Sequence, residues 1–225
     1  MTIGGIILIF VGVFVFMFYA SYSIGSGVYL KAICRIKTND KVAFLTFDDG
    51  PDSVQTPKVL DILKKQRIPA TFFCIGHKLM ANGHIIRRIC SEGHQIGNHS
   101  FSHTGVFPLY PAKKIQDDLV RCQHTLEELG VEGTTIFRPP FGVTNPPIAK
   151  AVKKLGYTTI GWNIRTMDTQ QLSHEKILRR IKKRLQPGSI ILLHDRMPQS
   201  DVLLEKVLNL LKTEGYQVRA LQEYT

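Results

Sequence analysis

The feature that most constrains the fold is a regular alternation of short apolar runs and amphipathic stretches that begins after Lys41. Apolar residues recur in the amphipathic stretches with a spacing near 3.6, which is typical of helices that bury one face. Short strands that alternate with such helices favour a parallel sheet. The pattern predicts strands at 42–47, 70–75, 94–98, 135–138, 157–162, 189–193 and 217–220, and helices at 55–65, 84–92, 112–129, 147–155, 173–185 and 201–214.

Most of the predicted helices are followed by a glycine, which commonly ends a helix in the left-handed conformation. These glycines are Gly93, Gly130, Gly156, Gly188 and Gly215. The length of 225 residues suits one hydrophobic core and is short for two. We therefore expect one α/β catalytic domain over residues 42–225, with a parallel sheet that can close into a barrel.

Two acidic residues, Asp48 and Asp49, stand directly after the first apolar run, and His99 and His103 come later in the chain, four residues apart. Two imidazoles and one carboxylate can bind a divalent metal and leave coordination positions open for water and substrate. The second carboxylate is then available as a base towards that water. The pattern points to metal-assisted hydrolysis.

Each motif also has a simpler explanation when taken alone. Aspartate, glycine and proline are common in tight turns, so the DDGP segment at 48–51 could be no more than a turn. Two histidines four residues apart could share an exposed helix face. Two further motifs, FRPPFG at 137–142 and SIILLHD at 189–195, also place polar groups directly after apolar runs.

The polar residues of these motifs all fall at or just beyond the carboxyl ends of predicted strands. In (β/α) barrels this face carries the active site. The periodicity therefore places on one rim Asp48, Asp49, His99, Arg138, Asp168 and His194.

The motifs together resemble the polysaccharide deacetylase family, of the carbohydrate esterase family four type. They are TFDDG at 46–50, His99 with His103, RPPFG at 138–142 and LLH at 192–194. The resemblance covers roughly residues 42–225. It implies a distorted (β/α) barrel with about seven parallel strands, and metal-dependent removal of acetyl groups from N-acetylated or O-acetylated glycans.

The resemblance also implies a role for each matching residue. Asp49, His99 and His103 match the ligands of one divalent metal ion, and zinc suits two imidazoles and one carboxylate. Asp48 matches the base that takes a proton from the metal-bound water. Arg138 matches the arginine that orients this base and balances its charge.

Other matching residues belong to the acid and substrate side of the implied site. His194 matches the general acid that protonates the leaving group. Leu192 matches a residue that lines the pocket for the acetyl methyl group, and the backbone N–H of Phe141 falls where the family helps to hold the oxyanion. Trp162 is a further candidate for substrate contact.

One motif departs from the family pattern, in the segment GWNIRTMDT at 161–169. Asp168 matches the aspartate that tunes the catalytic histidine. Arg165 stands where the family often has an acid, and it could pair with Asp168 or contact substrate. Thr169 replaces a tryptophan that forms one wall of the groove, which predicts a more open groove.

The segment 3–25 contains no charged residue and is rich in large apolar side chains. As a helix it would span roughly 34 Å, enough to cross a bilayer. A cleaved signal peptide would need a basic start and a shorter apolar core, although small residues near Ala20 would permit cleavage. We expect a transmembrane helix in an anchor at 1–25 that binds the membrane, followed by a linker at 26–41.

Two arguments about the side of the membrane disagree. The basic residues just after the apolar segment favour a cytoplasmic domain. Acetylated structural glycans, however, lie outside the cytoplasmic membrane, and large domains translocate with little regard to charge. We therefore expect a single-pass protein of the cell membrane with its catalytic domain outside the cytoplasm.

The formal net charge of +11 raises the question of nucleic-acid binding. Much of the charge lies on the predicted helix 173–185, without interleaved aromatic residues, so we expect no nucleic acid and no protein partner. A solvated helix face, or one near anionic lipid or wall polymer, explains the charge. The four cysteines show no CxxC spacing, and we expect buried free thiols, although disulfides stay open.

Two alternatives to a glycan deacetylase stay open at the level of sequence. A related amide or imide hydrolase could use the same metal ligands on a small molecule. A catalytically silent glycan-binding module could keep the fold without the reaction. The filled metal and acid–base positions argue against the silent module.

Overall fold

The computed structural model describes residues 3–170 and 172–224, and it contains a parallel sheet with helices packed against it. The strands are β1 Ala32–Ile33, β2 Val42–Asp48, β3 Thr71–Cys74, β4 Gln95–Asn98, β5 Ile136–Phe137, β6 Thr158–Ile160, β7 Ile164–Arg165, β8 Ser189–His194 and β9 Gln217–Val218. The helices are α1 Ile3–Tyr22, α2 Gln55–Gln66, α3 Gly76–Leu79, α4 Gly83–Ser91, α5 Ala112–Glu128, α6 Pro146–Leu155, α7 His174–Arg184 and α8 Ser200–Thr213.

Eight strands follow one path in the order β1-β6-β5-β4-β3-β2-β8-β7, and β9 pairs with the beginning of β2. All strand pairs in this sheet are parallel. Within the described residues the two end strands, β1 and β7, are not paired with each other, so the sheet is an open half-barrel. The α/β class with a parallel sheet is therefore as expected, but the distorted barrel of about seven strands needs correction.

The difference in strand number comes from very short strands. β1 and β7 contain two residues each, too few to show a period of two in the sequence. β1 lies in the segment 26–41, which was expected to be a linker, and it pairs with β6 through Ala32 and Thr159. Ile36 of the same segment is buried.

The predicted transmembrane helix is contradicted by the structure. Among the helices of the described residues, none is long and apolar enough to cross a membrane. The last turn of α1 is part of the folded domain, since Ala20 is buried and its carbonyl accepts a hydrogen bond from the Thr144 hydroxyl at 3.1 Å. The expected transmembrane helix and the single-pass membrane localisation are therefore wrong, and the expected membrane contact through this helix is not supported.

The central strands are buried on both faces. Every residue of β2 is buried, and its side chains alternate between two parts of the core. Leu45 and Phe47 lie in the large cluster under α2, α4, α7 and α8, whereas Phe44 lies in a smaller cluster on the opposite face. This packing explains why β2 reads as a continuous apolar run.

The four cysteines have free thiols in the structure. Cys74 and Cys122 are buried, as expected of small apolar side chains in a core. Cys34 is partly buried and Cys90 is exposed, so the expectation of burial holds for two of the four.

The close packing of β3, β4 and β5 gives a prediction about stability. A Cβ atom at Gly97 would lie 2.5 Å from ring carbons of Phe73 and 3.1 Å from Ile136. Because buried neighbours on both sides must move, we expect Gly97→Ala to lower the free energy of unfolding by about 1–3 kcal/mol. Urea unfolding followed by circular dichroism would measure the change.

Gly105 provides the matched control, because a Cβ atom there meets nothing within 4 Å. Gly105→Ala should leave the urea midpoint nearly unchanged. Equal effects of the two substitutions would show that close packing at Gly97 does not limit stability.

Candidate active site

The carboxyl ends of the strands bring the predicted polar residues together on one side of the half-barrel. Asp48 ends β2 and lies opposite His194, which ends β8, in the register of the sheet. His99 directly follows β4, and Arg138 directly follows β5. Parallel strands make this convergence possible, because all of their carboxyl ends meet at the same edge.

Asp49, His99 and His103 form a compact cluster of possible metal ligands. Their ligand atoms all lie within 4.8 Å of one another. The Oδ1 atom of Asp49 lies 3.4 Å from Nε2 of His99 and 3.3 Å from Nε2 of His103. Asp49 reaches this position because its backbone is left-handed, with φ of 71°, directly after β2.

The hydrogen bonds around the two histidines suit a metal ligand set. Nδ1 of His99 lies 2.7 Å from the Arg138 carbonyl, to which it can donate, so Nε2 keeps its lone pair towards Asp49. Nε2 of His103 is buried and has no hydrogen-bond partner among the described residues. A divalent ion between these atoms would satisfy both nitrogens.

The electrostatics of the cluster of Asp49, His99 and His103 are compatible with metal binding. Burial, together with the neighbouring His99, lowers the pKa of His103 to about 3, so its imidazole is neutral near pH 7. Burial would raise the pKa of Asp49, but the hydrogen bond and charge of His99, with the charge of His103, outweigh burial and hold that pKa well below its usual value. A neutral imidazole and an ionised carboxylate are the forms that bind a metal.

Asp48 lies beside this cluster and is paired with a buried arginine. Nη1 of Arg138 donates to Oδ1 of Asp48 at 2.7 Å and to the Thr46 hydroxyl at 2.8 Å. Nε and Nη2 of Arg138 donate to the carbonyls of Ile160 and Gly161. With its nitrogens held this way, Arg138 fixes the orientation of Asp48 and balances its charge. Burial lowers the pKa of Arg138, although the charge of Asp48 opposes that effect.

His194 lies across the cavity and is held by Asp168. The backbone N–H of His194 donates to Oδ2 of Asp168, and Nδ1 of His194 lies 2.8 Å from Oδ1 of Asp168. Burial would lower the pKa of His194, but the hydrogen bond and charge of Asp168, with the charges of Asp48 and Asp49, raise this pKa from its usual value. A charged His194 can donate a proton from Nε2.

A cavity of about 440 Å³ opens over these groups. Its walls include Leu192, Trp162 and Phe141. Leu192 is almost fully buried, whereas Phe141 is 47% exposed and its ring lies 4.9 Å from that of His103. Phe141 has a left-handed backbone, with φ of 61°. The site thus joins a polar floor to apolar walls, an arrangement typical of small-ligand sites.

Two residues at this site were missing from the sequence-based prediction. Nε of Arg196 donates to Oδ2 of Asp49 at 2.9 Å, and Nζ of Lys78 donates to the Asp49 carbonyl at 2.7 Å. Arg196 follows the apolar run of β8 closely, as the predicted residues do, so its position gave a signal. Lys78 lies on the short helix α3, and its contact depends on tertiary structure.

The structure also shows what the side chains of Asp195 and Arg165 contact. Asp195 accepts a hydrogen bond from the Thr56 hydroxyl at 2.5 Å and does not hold the imidazole of His194, which Asp168 does. Burial raises the pKa of Asp195 to about 7. Arg165 forms no ion pair with Asp168, and its guanidinium lies 5.9 Å from the centre of the Trp162 ring.

The open parallel sheet, with carboxylates and imidazoles gathered at its carboxyl edge, has the α/β architecture that many enzymes share. Residues 35–160 match the family model described as polysaccharide deacetylase. The chain belongs to the polysaccharide deacetylase family and is an enzyme of the glycan-deacetylating hydrolase class.

Named relatives support this assignment. The chain is 34% identical to a peptidoglycan-N-acetylglucosamine deacetylase of Bacillus cereus, with 84% of this chain and 90% of the relative covered. It is 35% identical to the peptidoglycan-N-acetylmuramic acid deacetylase PdaA of Bacillus subtilis, with 83% and 72% covered. Among solved structures, a carbohydrate esterase family 4 pseudoenzyme of Bacillus anthracis matches with a TM-score of 0.78 and 27% identity, covering 84% of this chain and 67% of the other.

The contact between Asp168 and His194 gives a prediction about pH dependence. Asp168→Asn removes the negative charge that raises the pKa of His194, so that pKa should fall. If His194 must be protonated to act, activity is lost above its pKa, and the basic limb of the pH–rate profile should move to lower pH. Profiles of kcat/KM and proton NMR titration of the imidazole would measure both shifts.

Asp117 provides a control, since it is exposed on α5 and, among the residues that the structure describes, forms an ion pair with Lys113 alone. Asp117→Asn should leave the basic limb in place. An unchanged limb in Asp168→Asn would count against the role of Asp168.

Proposed function

We propose that this enzyme is a metal-dependent deacetylase of N-acetylated glycans, in which Asp49, His99 and His103 hold one divalent ion. The observation that carries this proposal is the convergence of three ligand atoms within 4.8 Å beside a second carboxylate. The ligand set favours zinc among common divalent ions. The proposed catalytic domain comprises residues 42–225 together with β1.

The bound ion would supply Lewis acidity towards a water molecule and the acetyl carbonyl. The protein residues then account for the proton transfers. Oδ2 of Asp48 lies 3.9 Å from Nε2 of His99, so the carboxylate borders the ligand cluster. Asp48 takes a proton from the attacking water, and Arg138 holds Asp48 in position throughout.

His194 acts as the general acid on the other side of the cavity. Asp168 favours the charged form of its imidazole and orients it through Nδ1, which leaves Nε2 to face the substrate. Nε2 donates its proton to the nitrogen of the leaving amino sugar as the acetyl group departs. The two proton-transfer groups therefore lie in different electrostatic environments, as an acid and a base at one pH require.

The walls of the cavity suit an acetamido group on a sugar. Leu192 provides an apolar surface for the acetyl methyl group, and the backbone N–H of Phe141 is proposed to help hold the oxyanion. Trp162 offers an aromatic face to a sugar ring. The relatives are named for deacetylation of peptidoglycan amino sugars, which supports an amino sugar of this kind as the substrate.

A catalytically silent module is a real alternative, because a pseudoenzyme shares this fold. This chain, however, has the carboxylates and imidazoles of the proposed site around one cavity, with the buried arginine Arg138 paired to Asp48 behind it. The contact of His194 with Asp168 also orients a proton donor in the cavity, which a binding module would not need. The observations therefore favour an active enzyme.

The role of Asp48 can be tested by one isosteric change. Asp48→Asn removes the base while leaving the ligand cluster in place, so activity should fall by roughly 10²–10⁴-fold. The measurement is the release of acetate from N-acetylated oligosaccharide by the zinc-loaded protein. Asp117→Asn serves as the control, and near wild-type activity in Asp48→Asn would contradict the assignment.

Metal binding can be tested apart from activity. His103→Ala removes one ligand, so the purified protein should lose most of its bound metal and its activity together, whereas the wild type should hold about one ion per chain. Elemental analysis and calorimetric titration with zinc measure binding directly. His124, whose side chain is 73% exposed on α5, provides the control variant His124→Ala. Full activity after verified metal removal would refute metal dependence.

A further inference from the structure

Another cavity, of about 460 Å³, lies at the amino edge of the sheet, away from the proposed catalytic site. It is formed by the end of α2 with the loop to β3, and by the loop from α4 to β4. Four charged or polar side chains that line it are Lys64, Arg67, Glu92 and His94. The residues of the proposed catalytic site do not line this cavity, so it is a separate place at which a ligand could bind.

His94 is 7% exposed, and one of its ring nitrogens lacks a partner. The backbone N–H of Ala70 donates to Nδ1 of His94 at 3.2 Å, and burial lowers the pKa of the imidazole, so its one proton is on Nε2. The ring also packs edge-on against Phe72, which helps to fix its orientation. Nε2 is buried and bonds no acceptor in the described chain. Because a buried N–H without an acceptor is costly, this position favours an acceptor that enters through the cavity.

Glu92 provides a carboxylate oxygen that lacks a donor. Its side chain is 10% exposed, and its Oε1 accepts from Nε of Arg88 at 2.8 Å and lies 3.5 Å from Nζ of Lys64. Oε2 is buried and accepts no hydrogen bond from residues 3–170 and 172–224. One cavity is therefore lined by a residue with a buried donor to satisfy, His94, and by a residue with a buried acceptor to satisfy, Glu92.

Arg67 adds a positive charge at the mouth of the cavity. Its side chain is exposed, and in the part of the chain that the structure describes its guanidinium forms no ion pair or hydrogen bond. Its backbone is left-handed, with φ of 54°, at the end of α2, where glycine is the usual residue. The chain thus has a free guanidinium at a position where a side chain is not favoured by the backbone.

These groups limit the chemistry of a ligand. A metal ion does not suit His94, because Nδ1 is used by Ala70 and Nε2 carries a proton where a metal needs a lone pair. A simple anion would satisfy His94 and Arg67 but would face the carboxylate of Glu92. A simple cation would satisfy Glu92 but would face Arg67. The lining suits a molecule that carries both charges close together.

We propose that this cavity binds a small α-amino acid with an apolar side chain. The carboxylate of the ligand accepts from Nε2 of His94 and from the guanidinium of Arg67, and its ammonium group donates to Oε2 of Glu92. The apolar side chain packs against Ile68 and Pro69, which also line the cavity and are partly buried. This inference goes beyond the proposed deacetylase function and does not depend on it.

The test is calorimetric titration of the purified full chain with L-valine, D-valine and two compounds that each lack one charged group. Isovalerate is valine without the ammonium group, and isobutylamine is valine without the carboxylate. At least one enantiomer of valine should bind with a Kd of about 0.1–1 mM. Isovalerate and isobutylamine should each bind at least about tenfold more weakly, because each leaves a buried polar group unsatisfied.

Three variants locate the binding site. His94→Asn keeps an acceptor for the Ala70 N–H but removes Nε2, so the affinity for valine should fall at least about tenfold. Glu92→Gln removes the charge that faces the ammonium group, so the difference between valine and isovalerate should become smaller. Arg67→Gly should weaken valine binding while the urea midpoint stays the same or rises, because glycine suits the left-handed backbone. A loss of binding in Arg67→Gly is therefore not a loss of folding.

Two controls separate this site from the rest of the molecule. Arg87→Gln changes an exposed arginine of α4 that does not line the cavity, and it should bind valine as the wild type does. His103→Ala should also bind valine normally, whereas a loss of binding there would place the amino acid at the proposed metal centre and overturn the proposal. The proposal also fails if neither enantiomer binds at about 20 mM, if isovalerate binds as tightly as valine, or if His94→Asn leaves the affinity unchanged.

Discussion

The buried guanidinium of Arg138 is the contact on which the rest of the site depends. It is fully buried, yet its nitrogens are satisfied by Asp48, Thr46 and two carbonyls, one at the last residue of β6 and one directly after it. Its own carbonyl lies at hydrogen-bonding distance from His99, so one residue links the proposed base to a proposed metal ligand. Removing one partner of such a buried pair typically costs about 3–5 kcal/mol, because the other charge stays buried. The contacts of Arg138 therefore hold the strand ends together and also orient Asp48 and His99.

The proposed acid and the proposed base each lie against a partner of opposite charge. Asp48 lies against Arg138 on one wall, and His194 lies against Asp168 on the other. Each partner is more deeply buried than the group it holds, so the reactive atoms face the cavity while the countercharges stay behind them. This arrangement suits a proton acceptor and a proton donor that must act at the same pH, as the proposed hydrolysis of an amide requires.

The sequence predicted those parts of the molecule that depend on local pattern. Asp48 and His194 end strands that read as apolar runs, and the helices are amphipathic. The bounds of these strands and helices could therefore be predicted to within about two residues. β1 and β7 are two residues long and leave no periodic signal. The ion pair of Arg196 with Asp49 joins distant parts of the chain, and pattern alone cannot show it. Likewise, the hydropathy of the segment 3–25 indicated an apolar helix, but it could not show the hydrogen bond from the Thr144 hydroxyl to the Ala20 carbonyl.

The hydrogen bonds of Thr144 have a consequence for how the chain can be shortened. The hydroxyl and backbone N–H of Thr144 donate to the carbonyls of Ala20 and Ser21, and Thr144 lies three residues after Phe141. A chain that began after Tyr22 would leave both donors buried without these acceptors, at a cost of about 1–3 kcal/mol for each donor. The loop beside the ligand cluster would then lose its outer support. The last turn of the apolar helix α1 thus supports one wall of the active site. Its removal would therefore change that wall as well as shorten the chain.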